Sequence, residues 1–355
     1  MSLSRRSVLA GASGTLFAGA SGALLASTAP GFAQSVKPAV RPVAAGGTAR
    51  ILVLTPRKDV GDVLGFRDFI GASGLNATVE VKEVPQASAL AGMLPEIRAS
   101  RPDLVVTVFT PLTLAAVGRY DDPDPSRYLT DVPVVFTSVT DPVASRVVRA
   151  LDRPGRAVTG TRHIAPVAVQ MKTMLSYRRW KKIAALYNPG EDNMVVAVRD
   201  LKEEAQRQGV ELLDCALPRD AAGAPNSAAI PDVIADAARA GAELVYIGPD
   251  TLVASNNNAV VAEQALARNL ATFCSTELPI RRANLLMGLV SPAVNVGRFA
   301  GLKAVEILSG AKPADGIAVE TLNRFSLLLR IGAAKRLDLY PPMRLLNIAE
   351  IVQDA

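Results

Sequence analysis

Residues that carry chemistry are scarce in this chain. It has one histidine, His163, two cysteines, Cys215 and Cys274, and one tryptophan, Trp180. A metal centre needs His, Cys or carboxylates clustered at ligand spacing, and one His with two separated Cys does not supply them. A Ser-His-Asp relay would have to run through His163, and no G-x-S-x-G elbow accompanies it. Neither a P-loop nor a G-x-G-x-x-G phosphate cradle is present. Aromatic residues make up only 5% of the chain, which argues against a cleft built on stacked ring platforms. Tyr187 and Tyr246 can still supply one ring each. The expectation is a protein with no catalytic set, no metal and no cofactor.

Charge is missing altogether from Ser7 to Ala33, just after the paired Arg5 and Arg6. A basic start, an apolar run rich in Gly and Ala, and the small-residue end Gly31-Phe32-Ala33 are the parts of an export signal. The arginine pair makes it a twin-arginine-type signal over 1–33, handled by the twin-arginine export machinery. Residues 34–47 (QSVKPAVRPVAAGG) read as a Pro/Gly/Ala-rich linker. No second apolar run reaches membrane-spanning length, so the mature chain is expected to be soluble and periplasmic. Outside the cytoplasm it would meet no ATP or NADPH pool, which favours solute capture or sensing over metabolism. Without Arg5 and Arg6 the formal net charge falls from +6 to +4, too modest and scattered for nucleic acid. The densest basic cluster, Arg178, Arg179, Lys181 and Lys182 around Trp180, reads as a solvated helix end.

The mature part is long enough for two cores. Strand-like runs are ARILVLTP (49–56), ATVEVKEV (77–84), DLVVTVFT (103–110), VPVVFTSV (132–139) and AVTGTRH (157–163), with helical patterns between them. The rhythm restarts with a helix near 165–180 and the strands KKIAALYN (181–188), VELLDCAL (210–217), ELVYIGPD (243–250), ATFCSTE (271–277) and NLLMGLV (284–290). Continuous apolar strands between helices indicate parallel sheets covered on both faces. The fold class is therefore α/β, two doubly wound parallel-sheet lobes joined by a hinge. The helix 295–310 and one further strand, VETLNRFSLLLRI (319–331), cannot form a third core and must pack back onto the lobes. Cys215 and Cys274 fall on strands that are not neighbours, which leaves them too far apart to bridge.

Ligands of open α/β sheets bind beyond the carboxyl ends of the strands. Polar clusters stand there in both halves: Thr110-Pro111, Thr137 to Pro142, Asn188 to Asn193, Gly248 to Thr251 and Ser275 to Glu277. Thr110-Pro111 and Asp141-Pro142 read as helix starts, whose free N–H groups suit a carboxylate. The acids Asp141, Glu191, Asp250 and Glu277 can cap or can touch ligand. With Arg57, Lys58, Arg281 and Arg282 nearby, a cleft carrying both signs suits a zwitterion such as an amino acid.

The segments DVPVVFTSVTDPV (131–143), RPGRAVTGT (153–161), ALYNPGEDN (185–193), GPDTLVASNNNAVV (248–261) and VGRFAGLKAVEILSGAKPADGIAVET (296–321) follow one another in this order. Together they resemble the periplasmic substrate-binding proteins of one ABC-transporter family, which includes members assigned to tryptophan or tyrosine uptake. The resemblance runs over about 48–343. It implies a type I periplasmic binding fold crossed three times by the chain, with 48–161 plus 291–313 in the first lobe and 162–290 plus 314–355 in the second. It implies ligand contacts from Thr110, Thr137, Asp141, Asn188, Glu191, Asn193, Asp250 and Glu277. Its partners would be a small-molecule solute and an inner-membrane ABC permease with a cytoplasmic ATPase. The chain departs from the family pattern at Arg156 and Arg330, where Asn is usual, and at Phe109, where Gly is usual. The rival within binding is a sensor that presents its solute to a membrane receptor. The rival among enzymes, an isomerase using Cys215 and Cys274, would need one thiol from each lobe, and both fall in the second.

Overall fold

The computed structural model describes residues 47–353. The export segment 1–33 and the linker as far as residue 46 lie outside the described residues. The chain first lays down β1 (Ala49–Thr55), α1 (Gly61–Ala72), β2 (Ala77–Glu83), α2 (Leu90–Ser100), β3 (Leu104–Val108), α3 (Thr110–Val117), β4 (Val134–Thr137) and β5 (Val158–Arg162). It then crosses to α4 (Val167–Tyr177), β6 (Lys182–Tyr187), α5 (Asp192–Arg207), β7 (Glu211–Ala216), α6 (Ile230–Arg239), β8 (Leu244–Ile247), α7 (Asn258–Ala267), β9 (Ala271–Cys274), α8 (Glu277–Arg282) and β10 (Met287–Val290). The remainder is α9 (Ala293–Leu308), β11 (Glu320–Thr321), β12 (Ser326–Arg330), α10 (Ile331–Arg336), α11 (Met343–Leu346) and β13 (Glu350–Val352).

Two sheets result. The first, ordered β11-β5-β4-β3-β1-β2, is parallel throughout; the second is ordered β13-β12-β10-β9-β8-β6-β7. In the second only the β10–β12 pair is antiparallel. Every residue of β3, β4, β8, β9 and β10 is buried. Helices cover both faces of each sheet, and so these strands read as unbroken apolar runs. β2 and β7 lie at sheet edges, and exposed residues interrupt both.

α9 returns to the first lobe and packs on α1 at glycines. A Cβ on Gly65 would overlap the Val294 carbonyl, and one on Gly297 would overlap the Asp62 carbonyl. This close approach sets Ala293 and Val294, the first residues of α9, against Gly61 and Gly65 of α1.

The run expected as one strand over 319–331 is instead two strands in different sheets. β11 pairs with β5 in the first lobe, whereas β12 pairs with β10 in the second. The Lys303 side chain, rooted in α9, donates to the Ala318 carbonyl at 2.8 Å and to Glu320 at 2.6 Å. Thr159 of β5 donates to the Ile317 carbonyl at 2.8 Å. These bonds hold 317–321 on the first lobe, so the last crossing falls after residue 321 rather than after 313.

Candidate functional site

The carboxyl ends of β4 and β5 face those of β6 and β8. Between them lies a cavity of about 360 Å³. The first lobe contributes Thr140, Asp141 and Arg162, the last of which ends β5 in the first sheet, so the first crossing falls after residue 162 rather than after 161. The second contributes Asn193, Pro249 and the exposed face of α5. Asn193 and Pro249 follow β6 and β8, where the strand order of the second sheet reverses direction. That is the place at which doubly wound sheets open a crevice. Ile164 and Val167, at the first crossing, and Val196 and Ala197 on α5 give it an apolar wall. Gln170 and Tyr246 form the floor, joined by a 2.9 Å hydrogen bond from the tyrosine hydroxyl. The volume suits one small molecule and not a polymer.

Of the eight residues expected to touch ligand, Asp141 and Asn193 line this cavity. Asn193 donates through Nδ2 to the Pro249 carbonyl at 3.2 Å. Asp141 does not open a helix. It caps a turn, its Oδ1 accepting from the amides of Val143 at 3.1 Å and Ala144 at 3.0 Å. Thr110 stands beside the cavity, its Oγ1 accepting from the Thr140 amide at 3.4 Å. It is the first residue of α3 rather than its cap. Phe109 holds the cap position at φ 68°, ψ 158°. That region of backbone space belongs to glycine, the residue usual in the family pattern at this place.

The other five are held within the protein. Thr137 is fully buried and donates to Asp62 Oδ1 at 2.6 Å, as does Ser138. Asn188, Glu191 and Asp250 form one cluster binding the β6 and β8 loops together. Asp250 accepts from the Asn188 amide at 2.6 Å and the Val253 amide at 2.7 Å, and Glu191 accepts from the Thr251 amide at 2.9 Å. Glu277 accepts from Arg281 at 2.7 Å and from the amide of Ala293, the first residue of α9, at 2.9 Å. It thus ties the second lobe to a helix of the first.

Burial shapes the electrostatics. It pushes the carboxyls of Asp62, Glu191 and Asp250 above the ordinary range, with the Asp250 charge adding to the effect at Glu191. It pushes His163, at the first crossing, down to about 4. Its Nδ1 is buried with no hydrogen-bond partner among the described residues. Bases expected near the cleft pair elsewhere: Arg57 with Asp59 at 3.7 Å, Arg281 with Glu277 and Glu350. Across the lobes Arg119 approaches Asp192 at 3.8 Å. Cys215 and Cys274 are both free, on β7 and β9 with β6 and β8 between them.

Two departures from the family pattern find their place. Arg156 donates to the carbonyls of Val117 and Gly118, a cation closing the C-terminal end of α3. Arg330 lies fully buried and donates to the carbonyls of Ile280 and Arg281, away from the cavity. Sequence reasoning missed Arg162, Gln170 and Asp62. The signal for Arg162 was present: a lone charge ends an otherwise buried strand. Gln170 and Asp62 each look like an ordinary polar residue of a helix and gave no such sign.

Residues 73–353 match the family described as ABC transporter substrate binding protein. A curated relative, the tyrosine-binding protein of Clostridioides difficile (strain R20291), is 24% identical over 242 residues. That alignment covers 68% of this chain and 64% of the relative, so the chain spans a little under two thirds of the relative's length. A conserved domain protein of Vibrio cholerae superposes with a TM-score of 0.71 at 23% identity, over 86% of this chain and 99% of its own. An ABC domain in complex with L-Trp from Streptococcus pneumonia gives 0.68 at 24%, over 85% and 99%. A ligand-free, open substrate-binding protein with adhesive properties from Clostridium difficile gives 0.68 at 21%, over 86% and 100%. At these identities the likeness is one of fold, the type I periplasmic binding architecture.

Proposed function

The chain belongs to the ABC transporter substrate-binding protein family, and on that premise we propose that it is an exported, periplasmic receptor for one small polar solute. The solute enters between the lobes, which close over it by bending at the three crossings. The closed form then delivers it to an inner-membrane ABC permease driven by a cytoplasmic ATPase. No bond is made or broken in this cycle. The twin-arginine-type segment 1–33 carries the chain out of the cytoplasm.

The observation that carries this reading is the cavity between the lobes, with carboxylates, two guanidiniums and an apolar wall in one volume. An amino acid presents the matching set: two charges of opposite sign and a side chain. The relatives named for tyrosine and crystallised with L-Trp support an aromatic amino acid within that class. A cavity of about 360 Å³ has room for an indole side chain.

Thermal unfolding of residues 34–355 against amino acids, small carboxylates, sugars and nucleosides tests the reading. A true solute at a hundred times its dissociation constant adds roughly 2.7 kcal/mol of stability. The expected outcome is a clear shift with one or more amino acids, and no shift with sugars or nucleosides. Absence of any shift, repeated after unfolding and refolding to remove retained ligand, would contradict it.

A further inference from the structure

We propose that Arg162 is the receptor for the solute's carboxylate, so that the site selects a free amino acid over its amide or ester. The assignment rests on the amino-acid reading above and names the group that recognises it.

Arg162 is the last residue of β5, so its backbone is fixed in the sheet just before the chain crosses to the second lobe. Nε donates to the Thr140 carbonyl at 3.2 Å, which sets the plane of the guanidinium against the cavity wall. Among the described residues no carboxylate lies within ion-pair distance of it, and its two terminal nitrogens hold no hydrogen bond. The other guanidinium lining the cavity, that of Arg207, is already paired with Glu204 at 2.7 Å. Asp141 shares the cavity with Arg162, yet its Oδ1 serves the amides of Val143 and Ala144.

A half-buried guanidinium facing a cavity with both terminal donors free is a fork without its complement. A carboxylate fills it with two parallel, charge-assisted bonds. The rest of the wall orders the remainder of the molecule. Asp141 and Glu203 of α5 stand where the solute's ammonium is attracted, whereas Asp200 of the same helix is already paired with Arg199 at 2.8 Å. Ile164, Val167, Val196 and Ala197 receive an apolar side chain. Because Arg162 belongs to the first lobe and α5 to the second, a zwitterion held this way bridges the two.

Calorimetric titration of the full mature chain with L-tryptophan, L-tyrosine and L-leucine, beside tryptophanamide, tyrosinamide and leucinamide, tests the assignment. In the wild type the acids bind and the amides bind about 100-fold more weakly. Arg162→Gln weakens the acids about 100-fold and leaves the amides unchanged, while Arg162→Lys keeps the charge without the fork and loses about tenfold. Thermal unfolding of each variant without solute stays within a few degrees of wild type, separating lost recognition from lost fold. Equal affinity of the wild type for acid and amide, or unchanged affinity in Arg162→Gln, overturns the assignment. A wild type that binds another solute but no amino acid overturns it and leaves the solute-binding reading standing. A wild type that binds nothing overturns both.

Discussion

Phe109 carries the clearest single-residue strain in the fold. At φ 68° its Cβ is crowded by its own backbone, a cost of about 1–3 kcal/mol that glycine would not bear. The expected order of stability in urea is therefore Phe109→Gly above Phe109→Ala, the reverse of the order in a helix or strand. Asp250 makes the opposite case, a carboxylate whose removal orphans the buried amides of Asn188 and Val253. Asp250→Ala should lose about 3 kcal/mol, read as a lower urea midpoint. Asp62 and His163 set a pH dependence with two signs. Burial raises the Asp62 carboxyl, so the folded state binds more protons than the unfolded chain just above the carboxylate range, and stability falls as pH rises there. Burial lowers His163 to about 4, so the unfolded chain binds more protons between about 4 and 6.5, and stability rises with pH. Asp62→Asn keeps an acceptor for Thr137 and Ser138 and removes the Asp62 share of the falling contribution, leaving that of Glu191 and Asp250. Its melting temperature should climb more steeply between pH 4.5 and 6.5 than that of the wild type.

The helix pair α1–α9 depends on what its glycines lack. Gly65→Ala drives a methyl into the Val294 carbonyl and Gly297→Ala drives one into that of Asp62, with backbone on the receiving side. Each should lose about 3 kcal/mol or more, whereas Gly71→Ala, with open space around it, should be neutral or stabilising by thermal unfolding. The strands and long helices were legible in the sequence because sheets covered on both faces need unbroken apolar runs, and amphipathic helices need their period. Which sheet a strand joins was not legible. VETLNRFSLLLRI has one apolar pattern, yet the Lys303 side chain of α9 and pairing with β5 hold its first part while β10 takes the second. The candidate site was legible in position and only partly in membership. Polar residues at strand ends mark the cleft, but the pattern does not distinguish a side chain facing the cavity from one that knits two loops. Asp141 and Asn193 do the first, Asn188 and Asp250 the second, and all four sit in the same kind of sequence.

Neither lobe is a continuous stretch of chain. The first sheet waits for β11 at its edge and for α9 on its face, and both are encoded after the whole β6–β10 series. In the order of synthesis, β1 to β5 emerge first but stay unfinished until residue 321 has been made. The second sheet is completed only a few residues later, by β12 and β13. The two lobes therefore mature together at the end of translation, and nascent chains carry exposed apolar faces until then. A chain stopped after Gly310 would lack the closing strands of both sheets and should be degraded by limited proteolysis at a protease level that leaves residues 34–355 intact. A ribosome that stalls late on this message would thus release no half-working lobe.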